Sequence, residues 1–175
     1  MATSGSTDFE LAVDDYIEEA FERCGLEIRT GYDLKTAKRS LNLLFADWAN
    51  RGLNRWTIQQ TTITLSQGTT EYTLASDTID VLSAVIRENA GASNQLDTTV
   101  NRIGRDTYLN LSSKLSQSRP TQYYIDRQII PKIRVFPTPN KTYSLVFDRL
   151  TRIEDADSAT NTLDVPFRFY PCLAA

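Results

Sequence analysis

Apolar residues recur at three- and four-residue steps in two segments near the N-terminus, which is the spacing of an amphipathic helix. The first segment opens with Thr7-x-x-Glu10, a capping box, and predicts a helix that runs to about Cys24. Gly25 suits the left-handed position just past its end. The apolar stripe consists of Phe9, Val13, Tyr16, Ile17, Ala20, Phe21 and Cys24.

The second segment predicts a helix from about Asp33 to about Arg51. Gly52 is its stop, and Leu53 supplies the apolar contact that often accompanies such a C-cap. Because a short loop joins two helices with facing apolar stripes, we expect an antiparallel pair. The second stripe consists of Leu34, Ala37, Leu41, Leu44, Phe45 and Trp48.

After Trp56 the apolar period changes from that of a helix to that of a strand. The run "TTITLSQGTTEYTL" alternates on both sides of Gly68 and predicts a β-hairpin. Further strands are predicted at 80–87 and in "TQYYIDR", "KIRVFP" and "YSLVFDRL", and the last two are joined by a turn through Pro137, Pro139 and Asn140. A short helix is predicted over 104–111.

Segregated helices and strands predict an α+β fold in which an antiparallel helical lobe is joined to a β-rich antiparallel lobe. We expect the helical lobe at 1–55, the β-rich lobe at 56–165, and the start of a C-terminal helix returning to the helical lobe at 166–175. Trp48 and Trp56 flank the change of period, so we expect them to form the core of the junction and to hold the lobes at a fixed angle.

Composition narrows the function classes. The chain has 175 residues, 41% of them apolar, a net charge of −3 and no histidine. No apolar run approaches a membrane span, the N-terminus lacks the pattern of a secretory signal, and Cys24 and Cys172 have no ligand spacing, so we expect a protein of a reducing cytoplasm. The acidic balance argues against a dedicated nucleic-acid binder.

The charge is segregated along the chain. Residues 1–30 carry eight acids against two arginines, and residues 102–134 carry seven basic residues against two acids. Complementary surfaces of this kind orient association between copies, although both can also be ordinary solvated faces. The acidic contact candidates are Asp14, Asp15, Glu18, Glu19 and Glu22, and the basic candidates are Arg102, Arg105, Arg119, Arg127 and Arg134, because Arg pairs bidentately with carboxylates.

Few catalytic constellations are available to this sequence. Without histidine there is no usual Ser-His-Asp or Cys-His system, and no glycine-rich phosphate loop occurs. Carboxylates four residues apart on the first helix, such as Asp15 and Glu19 or Glu18 and Glu22, leave glycoside hydrolysis open. The loop 154–158, "EDADS", offers oxygen ligands for calcium but lacks the spacing of an EF-hand. We predict no cofactor and no catalytic or metal site.

Several strings in order across residues 33–173 carry a resemblance: "DLKTAKRSLNLLFADWANRGLNRWTI", "EYTL", "RPTQYYIDRQ", "IRVFPTP", "YSLVFDRLTRIEDA" and "DVPFRFYPCL". Together they resemble the head-to-tail adaptors of short-tailed bacteriophages, called tail tubular protein A or tail accessory factor. The resemblance implies a structural virion protein that forms a ring of twelve subunits under the portal, assembled in the host cytoplasm. Its partners would be its own copies, the portal protein, the tail nozzle (a tubular protein B-like ring) and in some phages the fibres, with DNA passing through the channel.

Members of that family usually continue past the string at 165–173 with a long helix and a tail that reaches the portal, so the resemblance implies that 166–175 starts such a helix. Two hypotheses from other classes stay open. One is a virion-associated peptidoglycan hydrolase that uses first-helix carboxylates, and the other is a free-standing ligand-binding module.

Overall fold

The computed structural model describes residues 4–28 and 31–174. The ends of the predicted lobes at 1–3 and 175, and residues 29–30, lie outside the described residues. The chain divides into two compact units, Met1–Trp56 with Ile153–Ala175, and Thr57–Arg152. We call them the helical unit and the β unit. Within the described residues the helices are α1 (Val13–Arg23), α2 (Gly31–Asn50), α3 (Arg105–Leu109) and α4 (Tyr170–Leu173).

The strands range in length from two to eleven residues. They are β1 (Ile58–Leu65), β2 (Glu71–Thr73), β3 (Thr78–Glu88), β4 (Leu96–Thr99), β5 (Asn101–Arg102), β6 (Gln117–Ser118), β7 (Gln122–Asp126), β8 (Lys132–Phe136), β9 (Thr138–Pro139) and β10 (Tyr143–Thr151). Single 3₁₀ turns occur at Arg55–Thr57 and Phe167–Phe169. Apart from the short α3, the helices and the largely antiparallel sheets occur in separate parts of the chain, and the predicted α+β class is confirmed.

The start of α1 differs from the prediction. Its N-cap is Ala12, not Thr7, and the helix begins at Val13. The Asp15 carboxylate accepts the Ala12 N–H at 2.9 Å, and the N–H groups of Val13 and Asp14 donate to the carbonyls of Asn161 and Ala159, each at 3.0 Å. A distant loop therefore satisfies the free N–H groups that a helix start leaves open, and the helix begins where that loop meets it.

Both glycine stops are confirmed. After α1, Gly25 has φ +70° and its N–H donates to the Glu22 carbonyl, while the Leu26 N–H reaches back to Phe21. Gly52 repeats this Schellman pattern after α2 with φ +68°.

The helical unit has a core of its own. Val13, Tyr16 and Ile17 from α1 are buried with residues of α2 and of the C-terminal segment. Residues 153–165 belong to this unit, whereas the β-rich lobe was predicted to extend to residue 165. Ile153, Ala156 and Val165 are buried among the helices. The remaining buried members of the core are Leu41, Phe45, Trp48 and Leu173.

The β unit contains two four-stranded sheets with the orders β1-β10-β3-β4 and β2-β8-β7-β5, and a small pairing of β6 with β9. β10 pairs antiparallel with β1 from Ile58↔Leu150 to Leu65↔Tyr143, and on its other side with β3. Side chains from one face of each main sheet form the core. In β8, for example, Ile133 and Val135 are buried and the intervening residues are not.

The predicted hairpin of β1 with β2 is wrong. β1 pairs with β10 and β2 pairs antiparallel with β8, so the two strands lie in different sheets. A turn does connect β1 to β2, and Gly68 lies in it with φ +77°. The Tyr72 hydroxyl hydrogen-bonds to the backbone of this turn at Ser66 and Thr69, and the Gly68 N–H donates to the Pro139 carbonyl. These bonds shape a corner at which the chain passes from one sheet to the other.

Candidate subunit-contact surfaces

The first candidate surface is the acidic face of α1. The apolar stripe turns Val13, Tyr16 and Ile17 inward and leaves the acids on the outer side of the helix. Some of these carboxylates are already engaged. Asp15 accepts the Ala12 N–H, Asp14 accepts the Asp15 N–H, and Glu19 pairs with Arg23 at 2.7 Å.

Glu18 and Glu22 are exposed and make no ion pair within residues 4–28 and 31–174. They line a cleft of about 530 Å³ whose other wall is aromatic, formed by Phe9, Phe167 and Tyr170. Phe9 packs edge-on against Phe167, with their ring centroids 6.4 Å apart. This part of the helical unit therefore joins free carboxylates to apolar surface, which suits a partner that carries both positive charge and apolar side chains.

The second candidate surface is a pocket in the β unit. Three of the five predicted arginines, Arg102, Arg105 and Arg127, line a space of about 350 Å³ beside Tyr124 and Asp126. Arg102 ends β5, Arg105 begins α3, and Arg127 follows β7, so neighbouring chain segments bring together residues that are up to 25 positions apart in sequence. The pocket is a place where a partner's carboxylate could meet more than one guanidinium.

Asp80 on β3 neutralises part of the positive charge of this pocket. Its carboxylate receives both Nη atoms of Arg102 at 3.0 Å and Nη2 of Arg127 at 2.7 Å. Partial burial alone would raise the pKa of Asp80, but the bonds from Arg102 and the Val81 N–H, with the charge of Arg127, outweigh it and hold the pKa below its ordinary value. Arg105 makes no ion pair in the described part of the chain, so it is the member of the pocket left for an outside partner.

Arg134 lies in a separate ion-pair network. It bonds to Glu71 at 2.8 Å, lies 3.7 Å from Asp126, and faces the Tyr108 ring. Lys132 binds the other oxygen of Glu71 at 2.6 Å. The Lys132 hydrogen bond, with the charges of Lys132 and Arg134, lowers the pKa of Glu71 against the opposing effect of burial.

Arg119 follows β6, is half-buried, and makes no ion pair within the described parts of the chain. The five arginines thus do not form one surface. The structure brings three together around the pocket and engages Arg134 elsewhere.

The acids that neutralise these arginines were not predicted from the sequence. Asp80 and Glu71 lie outside the window 102–134, and only the strand register brings them in, as in the cross-strand pair Glu71↔Arg134. The alternation of β8 gives a partial indication, because burial of Ile133 turns Lys132 and Arg134 to the same outer face.

Trp48 and Trp56 lie in an aromatic cluster of the helical unit. Their rings meet edge-on with centroids 6.5 Å apart, and both pack against Phe169, at 5.6 Å for Trp48 and 4.8 Å for Trp56. Trp56 Nε1 donates to the Asp164 carbonyl at 2.9 Å. Their predicted role in fixing the angle between the lobes stays a prediction.

The loop 154–158, considered above as a calcium site, is bonded to α2. The Lys38 ammonium donates to the Asp157 carbonyl at 2.9 Å, and Asn42 binds the backbone of Ala156. Over residues 4–28 and 31–174, no three His, Cys, Asp or Glu side chains are grouped so that they could hold a metal ion. In the same residues no helix is long and apolar enough to cross a membrane.

The predicted contact residues thus lie on two compact units, where some are exposed and others are already paired within the described chain. The sequence matches the family described as SU10 adaptor protein over residues 8–175, and the chain belongs to that family. It is therefore a phage adaptor-type structural protein, a component of the virion. No curated protein matches the chain. The narrower resemblance to tail tubular protein A of short-tailed phages stays a prediction, as does the hydrolase hypothesis.

Proposed function

We propose that copies of this chain form a ring, twelve in number, that connects the portal vertex of the phage head to the tail nozzle and extends the DNA channel. Membership in a family of phage adaptors supports this proposal, and the twelvefold count rests on the resemblance described above. The chain's net charge of −3 suits a channel wall, since a positively charged lining would bind the DNA phosphates.

The observation that carries the proposal is the opposite charge of the two units. The helical unit has eight Lys and Arg against fourteen Asp and Glu, a net charge of −6. The β unit has eleven against eight, a net charge of +3. A contact between the helical unit of one copy and the β unit of the next is heterologous, and repetition of such a contact closes a ring when the rotation per subunit permits.

Glu18 and Glu22 of one copy and Arg105 of the next are the residues we assign to the polar part of this contact. They are exposed, and their charges lack ion-pair partners within the described chain. A single surface pair contributes only about 0.2–1 kcal/mol, but complementary charge accelerates correctly oriented encounters and recurs at every interface of a ring.

The test is the particle mass of the chain, measured by size exclusion with light scattering, alone and mixed with the portal ring of the same phage. We expect a stoichiometric ring on the portal for the wild type and a marked loss of that ring for Arg105→Glu. Combining Arg105→Glu with Glu18→Arg and Glu22→Arg restores the charge complementarity and should recover assembly.

Lys35→Glu is the matched control, because Lys35 is exposed on α2 and lies outside both surfaces. A ring that forms equally well with Arg105→Glu overturns the charge-pairing assignment while leaving the adaptor proposal in place. A wild-type chain that stays monomeric and does not join the portal overturns the adaptor ring itself.

A further inference from the structure

An open apolar groove lies between α1 and α2 inside the helical unit. It measures about 430 Å³, within the range of pockets that hold a ligand. Its walls are mostly apolar, with Asp33, Thr36 and Ser40 as the polar exceptions along α2. The apolar lining includes Ile17, Ala20, Phe21, Ala37, Leu41, Leu44 and Leu173.

Tyr16 lines the groove from the α1 side. Its side chain is 1% exposed, and its ring packs edge-on against Tyr170, so this wall of the groove belongs to the core of the helical unit.

The β unit carries an exposed apolar turn between β7 and β8, which we call the tip. In the turn between β7 and β8, Ile129 is 96% exposed and Ile130 is 52% exposed. Ile129 has the highest exposure among the large hydrophobic residues that the structure describes. The backbone groups of Ile129 and Ile130 make no loop hydrogen bond among the described residues, so their carbonyls are open to a donor.

The chain around this turn holds the tip in place. Arg127 is bonded to Asp80, and Pro131 is buried, with its carbonyl accepting the Leu74 N–H at 2.9 Å. A tip that is already ordered loses little conformational entropy when it docks.

We propose that the β7–β8 turn of one copy docks in the α1–α2 groove of a second copy, with Ile129 and Ile130 against the apolar walls. This contact rests on the self-assembly proposed above and adds its apolar part. Charge favours this occupant, since the tip belongs to the unit of charge +3 and the groove to the unit of charge −6.

The test uses the full chain assembled on the portal ring. Ile129→Asp places a charge in the docked tip, and because this side chain is exposed in the single copy, thermal unfolding of the unassembled chain should not change. We expect about a tenfold or greater loss of assembled ring for Ile129→Asp, and near wild-type assembly for Ile129→Leu. Leu96→Asp, at an exposed leucine of β4, is the matched control.

Cross-linking identifies the occupant directly. With Cys24 and Cys172 replaced by serine, chains carrying Ile129→Cys are mixed with chains carrying Ser40→Cys, assembled, and oxidised. A disulfide-linked dimer of the two chains supports the proposal.

The failures of the two proposals are distinguishable. If Ile129→Asp assembles like the wild type, or if position 40 links only to the portal protein, the docking is overturned while the adaptor ring stands. If the wild-type chain forms no ring, both proposals fail together.

Discussion

The side-chain amide of Asn42, on α2, makes two hydrogen bonds to the backbone of Ala156. Its Oδ1 accepts the Ala156 N–H at 2.8 Å, and its Nδ2 approaches the Ala156 carbonyl at 3.4 Å. The two residues are 114 positions apart. One side chain thus attaches the segment after β10 to the second helix, and the same segment supplies the carbonyls that cap α1.

We expect Asn42→Ala to lower the free energy of unfolding by about 1–3 kcal/mol, because it leaves the part-buried Ala156 N–H without its acceptor. Urea denaturation followed by circular dichroism measures the change. Asn50→Ala, at an exposed asparagine of the same helix, controls for the gain in helix propensity. An equal result for the two variants would show that the bonds to Ala156 contribute nothing.

Substitutions of Trp48 and Trp56 should lower the free energy of unfolding by different amounts. Trp48 is 8% exposed and packs between Phe45 and Phe169, so Trp48→Ala should lower stability by about 3–5 kcal/mol. Trp56→Phe keeps a ring against Phe169 and loses the hydrogen bond to the Asp164 carbonyl, at a cost of about 1 kcal/mol. The remaining tryptophan reports unfolding by fluorescence in each variant. Similar costs for the two changes would contradict the assigned burial.

Elements set by nearby residues were predictable from the sequence. The stripe of α2 and the glycine stops at Gly25 and Gly52 depend on positions three to five residues apart, and these features occur as expected. The short helix α3 and the strands β7, β8 and β10 follow the same local logic.

Features set by distant residues were not predictable. β1 and β2 have the local pattern of a hairpin, but β1 pairs with β10 and β2 pairs with β8, and no local pattern encodes either register. The same holds for charge, since Arg127 meets Asp80 across 47 positions. A charge count over a sequence window therefore overstated how many arginines are left for a partner.

Asp80 should give the β unit a defined acid sensitivity. Because its pKa is lowered in the folded chain, its stabilisation is fully present above the ordinary value of 3.8 and is lost as the pH falls toward the folded-state pKa. Asp80→Asn should cost about 1–3 kcal/mol at pH 7, since both arginine partners lose a charged acceptor. That difference from the wild type should shrink below about pH 4.

Urea denaturation of both chains at pH 7, 5 and 3.5 checks this expectation. Asp106→Asn is the control, at an exposed acid of α3 that makes no ion pair within the described residues. Glu71 also loses its stabilising charge at low pH, but it does so equally in the wild type and in Asp80→Asn. Unfolding free energies that stay equally far apart at all three pH values would exclude the Asp80 network as the source.

Substitution of Gly52 measures how much the glycine that follows α2 contributes to the free energy of unfolding. Its φ is +68°, and an added Cβ would meet no atom within 4 Å, so Gly52→Ala introduces backbone strain without a clash. We expect a loss of about 1–2 kcal/mol in the free energy of unfolding, and a smaller loss for Gly52→Asn, because asparagine tolerates the left-handed region better than alanine. Gly31→Ala is the matched control, since Gly31 begins α2 with an ordinary φ and equally open space, and alanine there should leave stability unchanged or raise it. If Gly52→Ala were as stable as Gly31→Ala, the Schellman geometry after α2 would not be what ends the helix.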